Sequence, residues 1–278
     1  MRTTNKRHQS ENIMNNRLTH ITALTLILLF AGLKVYAQED RNHGIIQSYL
    51  HGWEYALKAG FSIGGTSPLP LPEEIRNING YTPGGVAISI EGNTTKWLDK
   101  KKIWGISFGI RLESKKMSTD AGVKNYHMEI INADNGKPLA GLWTGNVKTK
   151  VNNSYLTVPV LANYKIGNRW KLSAGPYFSY MIDGNFNGHV YEGHLRTPDA
   201  TGQRVDFTGE SIATYDFSND LHKFQWGIQL GGEWRAFKHL NVYADLTWGL
   251  NDIFQKDFQT ITFAMYPIYL NVGFGYSF

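Results

Sequence analysis

The sequence predicts an all-β fold, an eight-stranded antiparallel up-and-down transmembrane β-barrel that follows a cleaved signal peptide. Three observations predict it. Read back from the C-terminus, every second residue is apolar or aromatic: Phe278, Tyr276, Phe274, Val272, Leu270, Ile268 and Tyr266. The residues between them, Ser277, Gly275, Gly273, Asn271, Tyr269 and Pro267, are small or polar apart from Tyr269. A period of two makes a strand with two unlike faces, and an apolar face with aromatics at both ends suits a strand crossing lipid between interfacial girdles. Secondly, eight segments alternate in this way, and the connections between them run long, short, long, short, long, short, long, as short periplasmic turns and long outer loops require. Thirdly, the continuous apolar run from Ile21 to Leu33 is short for a membrane-spanning helix. Arg2, Lys6, Arg7 and Arg17 precede it and Val35-Tyr36-Ala37 follows, which is the pattern of an exported chain.

In chain order, residues 1–37 read as the signal peptide, with Met1 or Met14 as the start. Residues 38–52 form a polar periplasmic lead-in, and 53–278 form the barrel. Strand one is Trp53 to Ile63, with Trp53, Tyr55, Leu57, Phe61 and Ile63 on one face. Residues 64–84 hold Pro68, Pro70, Pro72 and Pro83 and are expected to be irregular. Strand two runs from Gly85 to about Thr94, and a turn over 96–102 leads to strand three, Ile103 to about Lys115. A long polar loop over 116–153 precedes strand four, Ser154 to Ile166. Gly167-Asn168-Arg169 turns tightly into strand five, Trp170 to Ile182. Another polar loop covers 183–222. Strand six (Lys223 to Arg235), a short turn over 236–239 and strand seven (Leu240 to Leu250) follow. Residues 251–265 then connect to the terminal strand.

Averages conceal this architecture. The mean hydropathy of −0.33 would suit a soluble protein, because lipid-facing and lumen-facing residues cancel. Removing residues 1–37 takes away Arg2, Lys6, Arg7, Arg17, Lys34 and Glu11, so the mature chain carries a net charge of only about +1 and its charge points to no nucleic-acid partner. With no cysteine among 278 residues, disulfides and thiolate metal sites are excluded.

An eight-stranded interior is just wide enough to be filled by side chains. The inward face is expected to carry a charge network of Lys58, Glu91, Arg111, Glu113, Lys165, Glu233, Arg235 and Asp245, with Lys171, Gln225 and Gln229 beside it. Mixed charges in a narrow lumen should pair, since an unpaired buried charge is costly, and this predicts a polar plug rather than a pore.

Several short segments occur in order between Tyr55 and Phe278: Lys58-x-Gly60, Leu156-x-Val158-Pro159-x-Leu161, Gly175-Pro176-Tyr177, Gly227 with Gly231, Gly249-Leu250, and Gly275-Tyr276-Ser277-Phe278. Together they resemble the outer-membrane β-barrel domain of the PorT-like group. The resemblance implies an eight-stranded barrel in the bacterial outer membrane, with Tyr276 and Phe278 as the signal read by the barrel-assembly machinery. The founding member is tied to a protein-secretion system. The long second and third outer loops are this chain's own, and the secretion role is not carried over.

Candidate chemistry is sparse. His189 and His194 share a predicted outer loop with Asp183, Glu192 and Asp199, but their five-residue spacing fits no standard metal-ligand pattern. No histidine falls on a predicted lipid-facing strand position, so neither a catalytic set nor a cofactor site is expected. Asp134-Asn135-Gly136 and Asp183-Gly184-Asn185 read as turns. The expected function is a membrane scaffold that presents long outer loops to a protein or glycan partner, in contact with outer-membrane lipid and with no nucleic-acid partner. The alternative is a narrow porin-like channel for small solutes. A barrel enzyme acting on lipid, or a secretion component, is a more distant reading.

Overall fold

The computed structural model describes residues 53–132, 138–209 and 212–278. The expected signal peptide and lead-in at 1–52, and the expected turn at 134–136, lie outside the described residues. Twelve strands are present among the described residues: β1 (Trp53–Pro68), β2 (Ile75–Thr82), β3 (Ile88–Trp97), β4 (Trp104–Asn132), β5 (Pro138–Ile166), β6 (Trp170–Asp183), β7 (Phe186–Thr197), β8 (Gln203–Phe207), β9 (Ala213–Asp216), β10 (Phe224–Arg235), β11 (Leu240–Gly249) and β12 (Met265–Ser277). All pairings are antiparallel. Followed from β4 through β3, β1, β12, β11, β10, β6 and β5, they return to β4, because β4 and β5 pair directly. The first and last strands meet along their length, from Ala56 opposite Ser277 to Pro68 opposite Met265, so the aromatic C-terminal strand is not an open edge.

Around this circuit the faces alternate as the period of two dictates. Phe61, Ile110, Leu230, Trp248 and Phe274 point outward and are exposed, while Lys58, Glu91, Arg111, Gln229 and Asp245 are buried. Aromatic residues ring both ends of the outward apolar band. Trp104 packs at a tilt against Tyr164 (centroids 4.5 Å apart), as Trp170 does near Trp234 (6.5 Å), at the end with the short turns. Phe178 lies over Phe224 (6.4 Å) at the other end. The short turns are stitched locally, for example by Asp99 Oδ1, which accepts the amides of Ile103 and Trp104, each at 2.8 Å. Pro159 has no amide hydrogen to give, and the β4–β5 register passes from Phe108↔Val160 to Arg111↔Thr157 without pairing Gly109 and Ile110 there.

Three of the expected loops are largely strand, and they raise the strands among the described residues to twelve. The 116–153 segment continues β4 and β5 to 29 residues each, paired from Trp104↔Tyr164 out to Ile131↔Pro138. The 183–222 segment forms β7, β8 and β9. β7 pairs with the outer part of β5, and β9 bridges β7 to the tip of β4. In the 64–84 segment, β1 runs on to Pro68 and β2 pairs with outer β4, so the irregular backbone is confined to residues 69–74, which hold Pro70 and Pro72, and to the stretch that begins at Pro83. β3, the counterpart of the expected second strand, starts at Ile88 rather than Gly85.

The extension has its own core: Met117, Val123, Met128, Ile130, Trp143, Val147, Val151, Phe186, Val190, Leu195, Phe207, Tyr215 and Phe217 are buried together with Ile253 and Phe254. The two ends of β4 and β5 are therefore built in opposite senses. Along β4 the outward residues change from Phe108, Ile110 and Leu112 to Ser114, Lys116, Ser118 and Asp120. Meanwhile the inward residues change from Arg111, Glu113 and Lys115 to Met117 and Val123. The partner strand changes at the same height, from Leu156 to Ser154 and Asn152 outside and from Asn153 to Val151 inside, with Leu112 opposite Leu156 and Met117 opposite Val151. The outward apolar part of β4, Trp104 to Leu112, matches the roughly 9–11 residues with which a tilted strand crosses a bilayer.

Candidate functional site

Inside the circuit, four bases and four acids form a continuous chain of ion pairs. Lys171 Nζ lies 2.9 Å from Glu233 Oε2, Lys58 Nζ lies 3.5 Å from the same oxygen, and Lys58 Nζ lies 3.6 Å from Asp245 Oδ2. Asp245 Oδ2 is 3.8 Å from Arg111 Nη2, Arg111 Nη1 is 3.6 Å from Glu113 Oε2, and Glu113 Oε1 is 3.3 Å from Lys115 Nζ. Arg111 is the hub. Its Nε is 2.6 Å from Glu91 Oε2, and its Nη2 donates to Gln229 Oε1 at 2.9 Å. All eight residues are buried. Their formal charges cancel, which removes the cost of net charge in a low-dielectric interior.

Neutral groups fill the gaps. Thr157 Oγ1 donates to Glu113 at 2.7 Å and lies 2.7 Å from Ser179 Oγ, and Asn93 donates to Glu91 at 3.0 Å. Tyr243 donates to Asn271, which donates in turn to Ser62 and Ser89. Backbone room is supplied where it is needed: a Cβ at Gly231 would collide with the Asp245 carboxylate and the Ser173 hydroxyl.

At the level where the faces exchange, the Lys115 ammonium sits among three tyrosine rings, 5.2 Å from the centroid of Tyr155, 5.3 Å from Tyr177 and 5.6 Å from Tyr269. These four buried side chains separate the charged interior from the apolar core of the extension.

Of the residues expected in the network, Lys58, Glu91, Arg111, Glu113, Glu233 and Asp245 meet there. Lys165 and Arg235 do not. They are partly exposed near the short-turn rim, where Lys165 lies 4.7 Å over the Trp97 ring and Arg235 reaches Glu54 at 4.0 Å. Each is the last or next-to-last residue of its strand, so its long side chain reaches the rim instead of the centre. Lys115 joins the network as well: it sits where the expected third strand ends, and because β4 continues past it, it keeps the inward parity of Arg111 and Glu113. Lys171 was placed on the inward face but outside the network. Tyr276 and Phe278 point outward at the end of the chain, with ring centroids 5.1 Å apart.

His189 and His194 are held apart by the sheet. His189 pairs with Lys148 and His194 with Thr144 on β5. Four residues of strand separate those positions by about 13 Å, too far to share an ion. Among the described residues no cluster of His, Asp and Glu has a metal-binding arrangement.

The family model for the outer membrane protein beta-barrel domain matches residues 36–255. Among solved structures, the chain is similar to Ail, the attachment invasion locus protein of Yersinia pestis, in complex with the heparin analogue sucrose octasulfate. The identity is 10%, covering 81% of this chain and 99% of that one, with a TM-score of 0.35. It is also similar to a major outer membrane protein of Thermus thermophilus, at 15% identity, 82% and 100% coverage and a TM-score of 0.32. Neisserial surface protein A is similar at 8% identity, 82% and 97% coverage and a TM-score of 0.30. Superpositions this loose carry no functional argument. Among curated proteins, none matches the sequence. The family match covers most of the chain: it belongs to the outer membrane protein β-barrel domain family and is a protein of the bacterial outer membrane.

Proposed function

We propose that this protein is a plugged, non-enzymatic membrane scaffold. In this reading the eight-strand circuit is the lipid-embedded barrel, and the extension of β4, β5, β7, β8 and β9 stands clear of the outer leaflet to meet a protein or glycan partner. The observation that carries the reading is the exchange of faces along β4 and β5. Below Leu112 the strands are apolar outside and charged inside; above Met117 they are polar outside and apolar inside. The first arrangement suits hydrocarbon and the second suits water. The charge-neutral filling of the lumen and the Lys115–tyrosine layer support closure over conduction. The PorT-like resemblance adds the barrel-assembly machinery as a partner reading Tyr276 and Phe278.

The test is single-channel conductance of the purified, refolded protein in a planar bilayer, with heat-modifiable gel mobility verifying the barrel. A verified barrel is expected to be silent. Steady, reproducible conductance steps would replace the scaffold by a narrow solute channel.

A further inference from the structure

The extension is not packed solid. A cavity of about 120 Å³ opens between β2, the outer part of β4 and the 251–264 segment, immediately above Met117. Its wall includes Met117, Met128, Met265, Val123, Tyr126 and Phe263, and no charged side chain lines it. Tyr126 and Phe263 meet edge to face, with centroids 5.7 Å apart. Leu71 and Ile78 border it and are themselves more than half exposed, at 55% and 62%. The cavity therefore has a greasy mouth on the outer surface.

We propose that this cavity is a binding site for a neutral apolar molecule of single-ring size. Protein interiors seldom leave voids larger than a water molecule, and an unfilled apolar void costs stability in proportion to its volume. A dry engineered cavity of about 150 Å³ takes up benzene, so the volume here suits an occupant of that class. The wall carries hydroxyls such as those of Thr119 and Thr149 but no charge to neutralise an ionic ligand, and the aromatic edges of Tyr126 and Phe263 offer favourable contacts to a ring. The Lys115–tyrosine layer below closes the cavity from the charged lumen, so the site is a pocket approached from outside and no passage leads from it through the barrel. This inference goes beyond the scaffold reading and stands whether or not the extension has a protein partner.

Methionines supply the test. Among the described residues they are Met117, Met128, Met181 and Met265, and three of these line the cavity while Met181 does not. The full mature chain, carrying ¹³C-methyl methionine and reconstituted in lipid nanodiscs, is titrated with benzene. Saturating shifts of the Met117, Met128 and Met265 methyls, with Met181 still, are expected. In Val123→Phe, whose larger ring fills the space, those shifts should vanish. Ala121→Leu, which enters the same cavity, serves in its place if the first variant fails the heat-modifiability check. Shifts that do not saturate, shifts of all four methyls together, or saturating shifts that survive the filled variant would overturn the proposal.

Discussion

The guanidinium of Arg111 on β4 and the carboxylate of Glu91 on β3 sit directly opposite each other in the strand register, with Nε 2.6 Å from Oε2. The same guanidinium also faces Glu113 and Asp245. One base thus holds three acids, while Lys171 and Lys115 lie at the two ends of the chain of pairs and Lys58 bridges Glu233 and Asp245. This makes Arg111 the position whose loss leaves most buried charge without a partner.

Arg111→Ala should therefore destabilise the barrel by about 3–5 kcal/mol, the usual cost of breaking a buried pair from one side. Urea unfolding of the protein in lipid vesicles measures this as a lower denaturant midpoint. Pairing Arg111→Met with Glu91→Gln should recover part of the loss, because Glu113 keeps Lys115 and Asp245 keeps Lys58. A single variant that unfolds at the wild-type midpoint would show that the chain of pairs does not hold the interior together.

Adjacent glycines on β10 give a sharper contrast. Gly231 faces inward, and a methyl there would run into Asp245 and Ser173, whereas a methyl at Gly232 meets nothing within 4 Å. Gly231→Ala should cost about 1–3 kcal/mol through overpacking. Gly232→Ala should be neutral or should stabilise by up to about 1 kcal/mol through the unfolded chain. Equal effects of the two variants in the same urea assay would remove the crowding argument.

These contrasts also mark what the sequence made legible. Alternation fixes which side chains face inward, so Arg111, Glu113 and Asp245 could be placed without coordinates. Which acid meets which base depends on register across several strands, and that is set by pairings such as Lys58↔Glu91 and Gly231↔Asp245. The extension was hidden for a different reason. The apolar parity of β4 slips from even positions, ending at Leu112, to odd positions, beginning at Met117. A scan that follows one face reads that slip as the end of a strand. Thr119 on β4 and Gly145 on β5 dilute the new face further, so the segment looks like a polar loop although its inward residues build a core. Lys115 sits at the slip and was lost with it.

The imidazoles of His189 and His194 lie on the extension, where water reaches them. Partial burial, followed by the charges of Lys148 and Lys150, disfavours the imidazolium of His189. Partial burial, followed by Arg204 and Arg196, does so for His194. Both should titrate below the ordinary histidine value of about 6.5, as read by NMR of the ring nitrogens. The sign for stability follows: the neutral form is favoured by folding, so the contribution is full above the unfolded value and is lost as pH falls through the folded one. Lys148→Gln should raise the His189 midpoint and leave His194 unchanged. A His189 midpoint at or above the ordinary value would refute the electrostatic picture of this face.

The C-terminal aromatic separates folding from delivery. Phe278 is 69% exposed, its ring touches Tyr276, and its backbone amide donates to the Tyr55 carbonyl at 2.9 Å. A substitution of the side chain keeps that amide bond. Phe278→Ala should therefore refold in detergent or lipid with nearly wild-type yield and stability, because the ring faces lipid and makes few contacts within the protein. In cells the same variant should reach the outer membrane several-fold less, if the exposed Tyr276–Phe278 pair is what the assembly machinery reads. Heat-modifiable protein in outer-membrane fractions, set against the yield of in vitro refolding, separates the two effects. Wild-type levels in the membrane would reduce Phe278 to an interfacial anchor. Equal losses in both assays would make it a structural residue of the β1–β12 closure.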